Sequence, residues 1–124
     1  MTTRRRVLFI EDDPTTAAMY GHALTHHGFV IETVADGTTG YERLIHNPYD
    51  VVLLDLMIPG IKGPEILKRL AKRGQRPAKV IVLTNMTTTD REQAKLAAQA
   101  DAYLLKAEVV PSQLIEEIER LLAR

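Results

Sequence analysis

The sequence predicts an α/β fold: one doubly wound parallel β-sheet with helices on both faces. Three observations carry this. Four short apolar runs, 7–10, 51–54, 80–83 and, less purely, 102–105, are too short for helices and three are rich in Val or Ile. They do not alternate polar with apolar, so they read as strands buried on both faces, as in a parallel sheet covered by helices. Amphipathic segments with helical spacing separate them, so strand and helix alternate five times, which implies right-handed crossovers.

The strand at 7–10 follows Arg4, Arg5 and Arg6, a solvated lead-in. A helix over 14–27 starts at Pro14, with Asp13 before it as the helix-start residue, presents Ala17, Tyr20 and Leu24, and stops at Gly28. The run 30–35 carries Glu32 and Thr33, which suits an edge strand. The helix over 38–46 presents Tyr41, Leu44 and Ile45 and stops at Asn47-Pro48. The strand 51–54 reads VVLL, and the helix over 64–73 offers Ile66, Leu67, Leu70 and Ala71 before Gly74. After the strand 80–83, an Ala-rich helix over 89–99 centres on Leu96. The last helix, 112–123, spaces Leu114, Ile115, Ile118, Leu121 and Leu122 on one face. Five strands favour the flavodoxin-like order 2-1-3-4-5 over a six-stranded sheet, and that order puts the polar run 30–35 on an edge.

A chain of 124 residues fits one domain, read as spanning 1–124 with no output domain, and is long enough for a core without staples. Sixteen basic and sixteen acidic residues cancel, so charge gives no pull toward nucleic acid or membrane. Cysteine is absent, which excludes disulfides, thiolate metal sites and Cys nucleophiles. The four-residue apolar run after the arginines is too short for an export signal, and no run approaches the roughly 20 apolar residues of a membrane span. A cytoplasmic protein is expected.

The polar residues fall at strand ends. The first strand runs into Glu11-Asp12-Asp13, the third into Asp55, the fourth into Thr84 and the fifth into Lys106. In the order 2-1-3-4-5 the first and third strands flank the switch point, and ligands bind outside the carboxyl ends of the strands there. Several carboxylates in one cavity repel, and a hard cation resolves the conflict. Mg²⁺ accepts six oxygen ligands and uses one or two carboxylates plus water and phosphate. Glu11, Asp12 and Asp55 could supply the protein side, with Lys106 as an opposing ammonium. Together with the Thr84 hydroxyl this is a site that receives an anion.

The stretches VLFIEDDP, VVLLDLMIPGIKG, VIVLTN and AYLLK together resemble the receiver domain of two-component response regulators, over essentially the whole chain. The separations fit: 43 residues from Asp12 to Asp55, 29 to Thr84 and 22 to Lys106. The resemblance implies a phosphorylation-dependent signalling switch. Asp55 resembles the phosphoacceptor that takes a phosphoryl group from a phosphohistidine on a sensor kinase or phosphotransfer protein. Asp12 resembles a direct Mg²⁺ ligand, Glu11 an acid that holds the metal, and Met57 the position whose backbone carbonyl completes the metal site. Lys106 resembles the lysine that pairs with the phosphoryl group. Thr84 and Tyr103 resemble the hydroxyl and aromatic switch pair. The resemblance further implies catalysis of phosphotransfer to its own Asp55 only. The face of the fourth helix, fifth strand and fifth helix would meet a downstream protein or a second copy, with no direct nucleic-acid contact.

The chain departs from that pattern. Ala107 stands where the family usually has a proline joined by a cis bond. A cis non-prolyl bond costs about 2.5–4 kcal/mol, so a trans bond in a rebuilt loop is expected, or else a strained cis bond. Asn85 replaces a small residue and could narrow the pocket or hydrogen-bond the phosphoryl group. Gln99 stands where glycine is frequent, which hints at a different helix end. These changes support one alternative, a pseudo-receiver that binds partners without phosphorylation. A phosphatase of the haloacid-dehalogenase type wants an acid two residues after the nucleophile, where this chain has Met57. A flavin carrier wants a phosphate loop where it has acids. His22 and His26 have chelating spacing but no third ligand nearby in sequence, and read as solvated.

Overall fold

The computed structural model describes residues 4–74 and 76–123. The chain alternates β1 (Arg6–Ile10), α1 (Pro14–His27), β2 (Val30–Val34), α2 (Gly37–His46), β3 (Val51–Leu54), α3 (Gly63–Lys72), β4 (Lys79–Thr84), α4 (Asp90–Ala98), β5 (Ala102–Leu105) and α5 (Pro111–Leu122), with one 3₁₀ turn, Lys106–Glu108, before α5. The strands form one sheet in the order β2-β1-β3-β4-β5, and every pairing is parallel. The expected order and the edge position of the polar strand are therefore found.

The continuous apolar runs follow from having helices on both faces. Side chains alternate across a strand. Leu8 and Ile10, Val52 and Leu54, and Val80 and Val82 pack with Leu44 of α2, Ile66, Leu67 and Leu70 of α3, and Leu96 of α4. Their neighbours Val7 and Phe9, Val51 and Leu53, and Ile81 and Leu83 pack with Tyr20 and Leu24 of α1 and Leu114, Ile118 and Leu121 of α5. All four residues of β3 are fully buried, each stabilising the fold by roughly 1.5–3 kcal/mol before entropy is counted. Ala71 departs from the expected face and lies exposed.

Local chemistry sets the element ends. Asp13 caps α1, its Oδ2 accepting the Thr16 N–H at 3.0 Å, and Gly28 ends that helix at φ 114°, a left-handed conformation that glycine adopts without penalty. Asp36 caps α2 through the Thr39 N–H at 2.7 Å, so the helix begins one residue earlier than its pattern indicates. α4 ends on Gln99 at φ −94°, ψ 1°, a conformation that needs no glycine. No peptide bond among the described residues is cis, so Lys106–Ala107 is trans and the 3₁₀ turn is the rebuilt loop. Among the described residues no helix is long and apolar enough to cross a membrane.

The loop from β3 to α3 is gripped by α2. Gly37 donates its N–H to the Pro59 carbonyl at 2.9 Å, and Thr38 Oγ1 accepts the Ile61 N–H at 3.2 Å. A Cβ on Gly37 would lie 1.7 Å from the Ile61 carbonyl oxygen, and one on Gly63 would lie 2.4 Å from the Leu56 Cα. Both approaches are possible only without a side chain, and they hold the loop that follows Asp55.

Candidate functional site

The ends of β1, β3, β4 and β5 bring Glu11, Asp12, Asp55, Thr84 and Lys106 to one crevice. β1 and β3 pair through Ile10↔Leu54, so Glu11 and Asp55 leave the sheet side by side. The Asp55 N–H donates to the Ile10 carbonyl at 3.1 Å, which continues the ladder into the site. Asp55 is 5 % exposed, Glu11 2 % and Thr84 fully buried. Asp12 is exposed at the mouth.

A buried carboxylate needs partners for both oxygens. Asp55 Oδ1 accepts the Thr84 hydroxyl at 2.9 Å and the Met57 N–H at 3.1 Å. Asp55 Oδ2 accepts from Lys106 Nζ at 2.9 Å. Lys106 also forms an ion pair with Glu11 Oε1, while Glu11 Oε2 accepts the Asp13 N–H at 3.1 Å. Thr84 Oγ1 accepts in turn from the Met86 N–H at 3.1 Å. One ammonium thus bridges two buried acids, and one hydroxyl links β4 to β3.

Burial pushes the Glu11 carboxyl above its ordinary range; Lys106 and the Asp13 amide oppose this without cancelling it. Burial works to lower the Lys106 ammonium, but the adjoining Glu11 and Asp55 carboxylates outweigh it and hold it above the ordinary lysine value. Lys106 therefore stays charged at neutral pH.

Glu11, Asp12 and Asp55 each offer a carboxylate oxygen, all within 4.8 Å of one another. Three acids facing one lysine leave an excess of negative charge, and every donor is a hard oxygen. That donor set fits Mg²⁺ or a similar divalent cation and not a soft metal. Met57 places its backbone in the site through its N–H, and its side chain is 62 % exposed.

Tyr103 lies on β5 opposite Val82 and packs on the side of the sheet that holds Met86 and Leu96. Its hydroxyl is buried without a hydrogen-bond partner, and burial raises its ionisation above the usual tyrosine value. Asn85 does something the sequence does not reveal: its Oδ1 accepts the Ala107 N–H at 3.1 Å. The grip of Gly37 and Thr38 on the loop after Asp55 is likewise invisible in sequence. Its only trace is a pair of small residues at the start of α2. His22 and His26 are exposed on α1, away from these carboxylates.

Fold and crevice together define a doubly wound α/β domain with an acidic, lysine-bridged pocket at its switch point. The chain belongs to the response regulator receiver domain family of two-component signalling, whose sequence profile matches residues 7–119. It is 37% identical over 118 residues to the transcriptional regulatory protein TcrA of Mycobacterium tuberculosis, covering 95% of this chain and 45% of that protein. It is 33% identical over 119 residues to the probable transcriptional regulatory protein SilR of Salmonella typhimurium, covering 96% and 51%. The chain thus spans about half the length of these curated relatives. Among solved structures, the receiver domain of the Francisella response regulator 1452 superposes with a TM-score of 0.88 at 26% identity, covering 98% of both chains. The activated receiver domain of Klebsiella pneumoniae RstA, a BeF3 form, gives 0.85 at 26% identity, covering 97% and 100%.

Proposed function

We propose that residues 1–124 form a single receiver unit that accepts a phosphoryl group on Asp55 from a phosphohistidine donor, with Mg²⁺ held by Glu11, Asp12, Asp55 and the Met57 carbonyl. The observation that carries this is the dress of Asp55: a buried carboxylate with Lys106 on one oxygen and the Thr84 hydroxyl on the other, beside two further acids. That the RstA relative is activated by BeF3, a phosphoryl mimic, supports the same chemistry here. The pseudo-receiver alternative loses its main support, because Asn85 and Ala107 pair with each other and leave the acids, Thr84 and Lys106 together.

In the transfer an Asp55 oxygen attacks phosphorus in line, and the P–N bond to the donor imidazole breaks with its electron pair going to nitrogen. The transition state is loose, so positioning and neutralisation of the equatorial oxygens do most of the catalysis. When bound, Mg²⁺ supplies Lewis-acid neutralisation of those oxygens. Lys106 leaves the carboxylate to pair with the phosphoryl group, and the Thr84 hydroxyl moves from the carboxylate to a phosphoryl oxygen. Tyr103 follows Thr84, and the face of α4, β5 and α5 changes shape for a downstream protein or a second copy. The donor is a sensor kinase or a histidine phosphotransfer protein.

The test is intact mass after incubation with a small acyl-phosphate donor and Mg²⁺. One phosphoryl adduct is expected, absent with Asp55→Asn and absent with a chelator. No adduct under conditions that label a working receiver would overturn the proposal.

A further inference from the structure

Two of the three departures from the family pattern, Asn85 and Ala107, meet in one hydrogen bond 3.1 Å long. Its place in the fold gives it a task. β4 and β5 pair through Thr84↔Leu105, and both strands end there. The next residue on one strand is Asn85 and on the other Lys106. β5 is an edge strand, and among the described residues β4 is its only partner in the sheet. Beyond the last pair, the backbone that carries Lys106 would be held by the 3₁₀ turn alone, and the bond closing that turn, Val109 N–H to the Lys106 carbonyl, is a long 3.5 Å. Asn85 Oδ1 takes the N–H of the peptide that links Lys106 to Ala107. A proline at 107 has no N–H to donate, so the bond exists only because residue 107 is not proline. At the far end of the turn, the Tyr20 hydroxyl donates to the Val109 carbonyl at 2.9 Å.

We propose that Asn85 is a positioning residue for Lys106: its side-chain oxygen extends the β4–β5 pairing by one rung and fixes the backbone from which Nζ reaches both Asp55 and Glu11. Asn85 follows Thr84 directly, so one bond ties the segments that deliver the hydroxyl and the ammonium. The consequence for phosphotransfer rests on the function proposed above; the consequence for Lys106 geometry does not.

The experiment compares the chain with Asn85→Ala, Asn85→Asp, Ala107→Pro and the double variant Asn85→Ala/Ala107→Pro. Two readouts use the unphosphorylated protein: amide hydrogen exchange at Ala107 and the NMR signal of Lys106 Nζ. The third is the phosphorylation rate at saturating acyl-phosphate donor. Asn85→Ala is expected to speed Ala107 exchange, alter the Lys106 signal and slow phosphorylation about fivefold, the effect of one ordinary hydrogen bond. Asn85→Asp keeps the acceptor and restores Ala107 protection. Adding Asn85→Ala to Ala107→Pro changes the rate no further, because the donor has already gone. An Asn85→Ala protein with unchanged Ala107 exchange or an unchanged Lys106 signal overturns the inference, as do additive effects on rate. If the parent chain takes no phosphoryl group, the proposed function falls, and the two readouts on the unphosphorylated protein still decide the role of Asn85.

Discussion

The Thr84 hydroxyl donates to Asp55 Oδ1 at 2.9 Å inside a site where Thr84 is fully buried. That hydroxyl also accepts the Met86 N–H, so it links the carboxylate to the start of the β4–α4 loop. A shift of Thr84 toward a phosphoryl oxygen therefore pulls on the backbone of Met86, whose side chain packs with Tyr103 against the same core. The route proposed from Asp55 to the outer face is short: one hydroxyl, one amide and two side chains packed against the same core.

Thr84→Val keeps the shape and removes the hydroxyl. The Met86 N–H loses its acceptor, at a cost of about 1–3 kcal/mol if no water replaces it. Urea denaturation is expected to show a lower midpoint with an unchanged slope. Phosphorylation should persist, because Asp55, Lys106 and the acids remain. The phosphorylated protein should bind its downstream partner less well, since the link to Met86 is cut. Unchanged coupling between phosphorylation and partner binding, measured by titration calorimetry, would count against this route.

Glycine substitutions separate packing from propensity. At Gly37 a Cβ would lie 1.7 Å from the Ile61 carbonyl oxygen, and backbone must move to admit it. Gly37→Ala is expected to destabilise the fold by about 1–3 kcal/mol and to weaken Mg²⁺ binding by shifting the loop that carries Met57. Gly21, inside α1, has nothing within 4 Å of a Cβ, so Gly21→Ala should stabilise by about 0.5–1 kcal/mol. Thermal melts of the two variants should move in opposite directions.

Acid stability has an assignable component. The Thr39 amide donates to Asp36 at the start of α2 and holds its carboxyl below the usual aspartate value of 3.8. The folded state thus binds this proton less tightly than the unfolded chain. The stabilisation is fully present above 3.8 and is lost as pH falls through the lowered folded value. Asp36→Asn keeps a capping side chain without the titration. Its stability is expected to depend less on pH below 4 than that of the parent, measured by urea denaturation from pH 2 to 6. An identical acid limb in the two proteins would sink this assignment.

The sheet was legible because the burial of its three central strands is written in consecutive residues: Val51 to Leu54 face two helical layers and leave no polar position. The site was legible because chemistry sits at strand ends, and register brings Ile10 beside Leu54 and hence Glu11 beside Asp55. Contacts made by backbone atoms or by small residues were not legible. Gly37 against Ile61 and Asn85 with the Ala107 N–H depend on how loops meet in space, which no periodicity encodes. The α2 start at Gly37 was missed for a related reason: the Asp36 cap, not the apolar pattern, sets it.

The lifetime of the phosphorylated state is expected to depend on the two methionines beside the site. Met57 lies two residues after Asp55 with a side chain 62 % exposed, and Met86 lies two after Thr84, half-buried against the core. We expect these two side chains to form an apolar rim that hinders the in-line approach of water to the proposed acyl phosphate. Met57→Asn combined with Met86→Gln replaces that rim with groups that bind water, and dephosphorylation should speed by about threefold to tenfold, a barrier change near 1 kcal/mol. The single variants sort the cause. Met57 is exposed, so Met57→Asn should leave stability within about 0.5 kcal/mol, and any change in rate there reflects access. Met86→Gln also disturbs packing against the core that Tyr103 joins, so its rate change must be compared with its thermal stability. Loss of the phosphoryl adduct is followed by intact mass after donor removal with Mg²⁺ present. A double variant that decays at the parental rate would show that the rim does not control water, and attention would pass to Asn85 and Lys106.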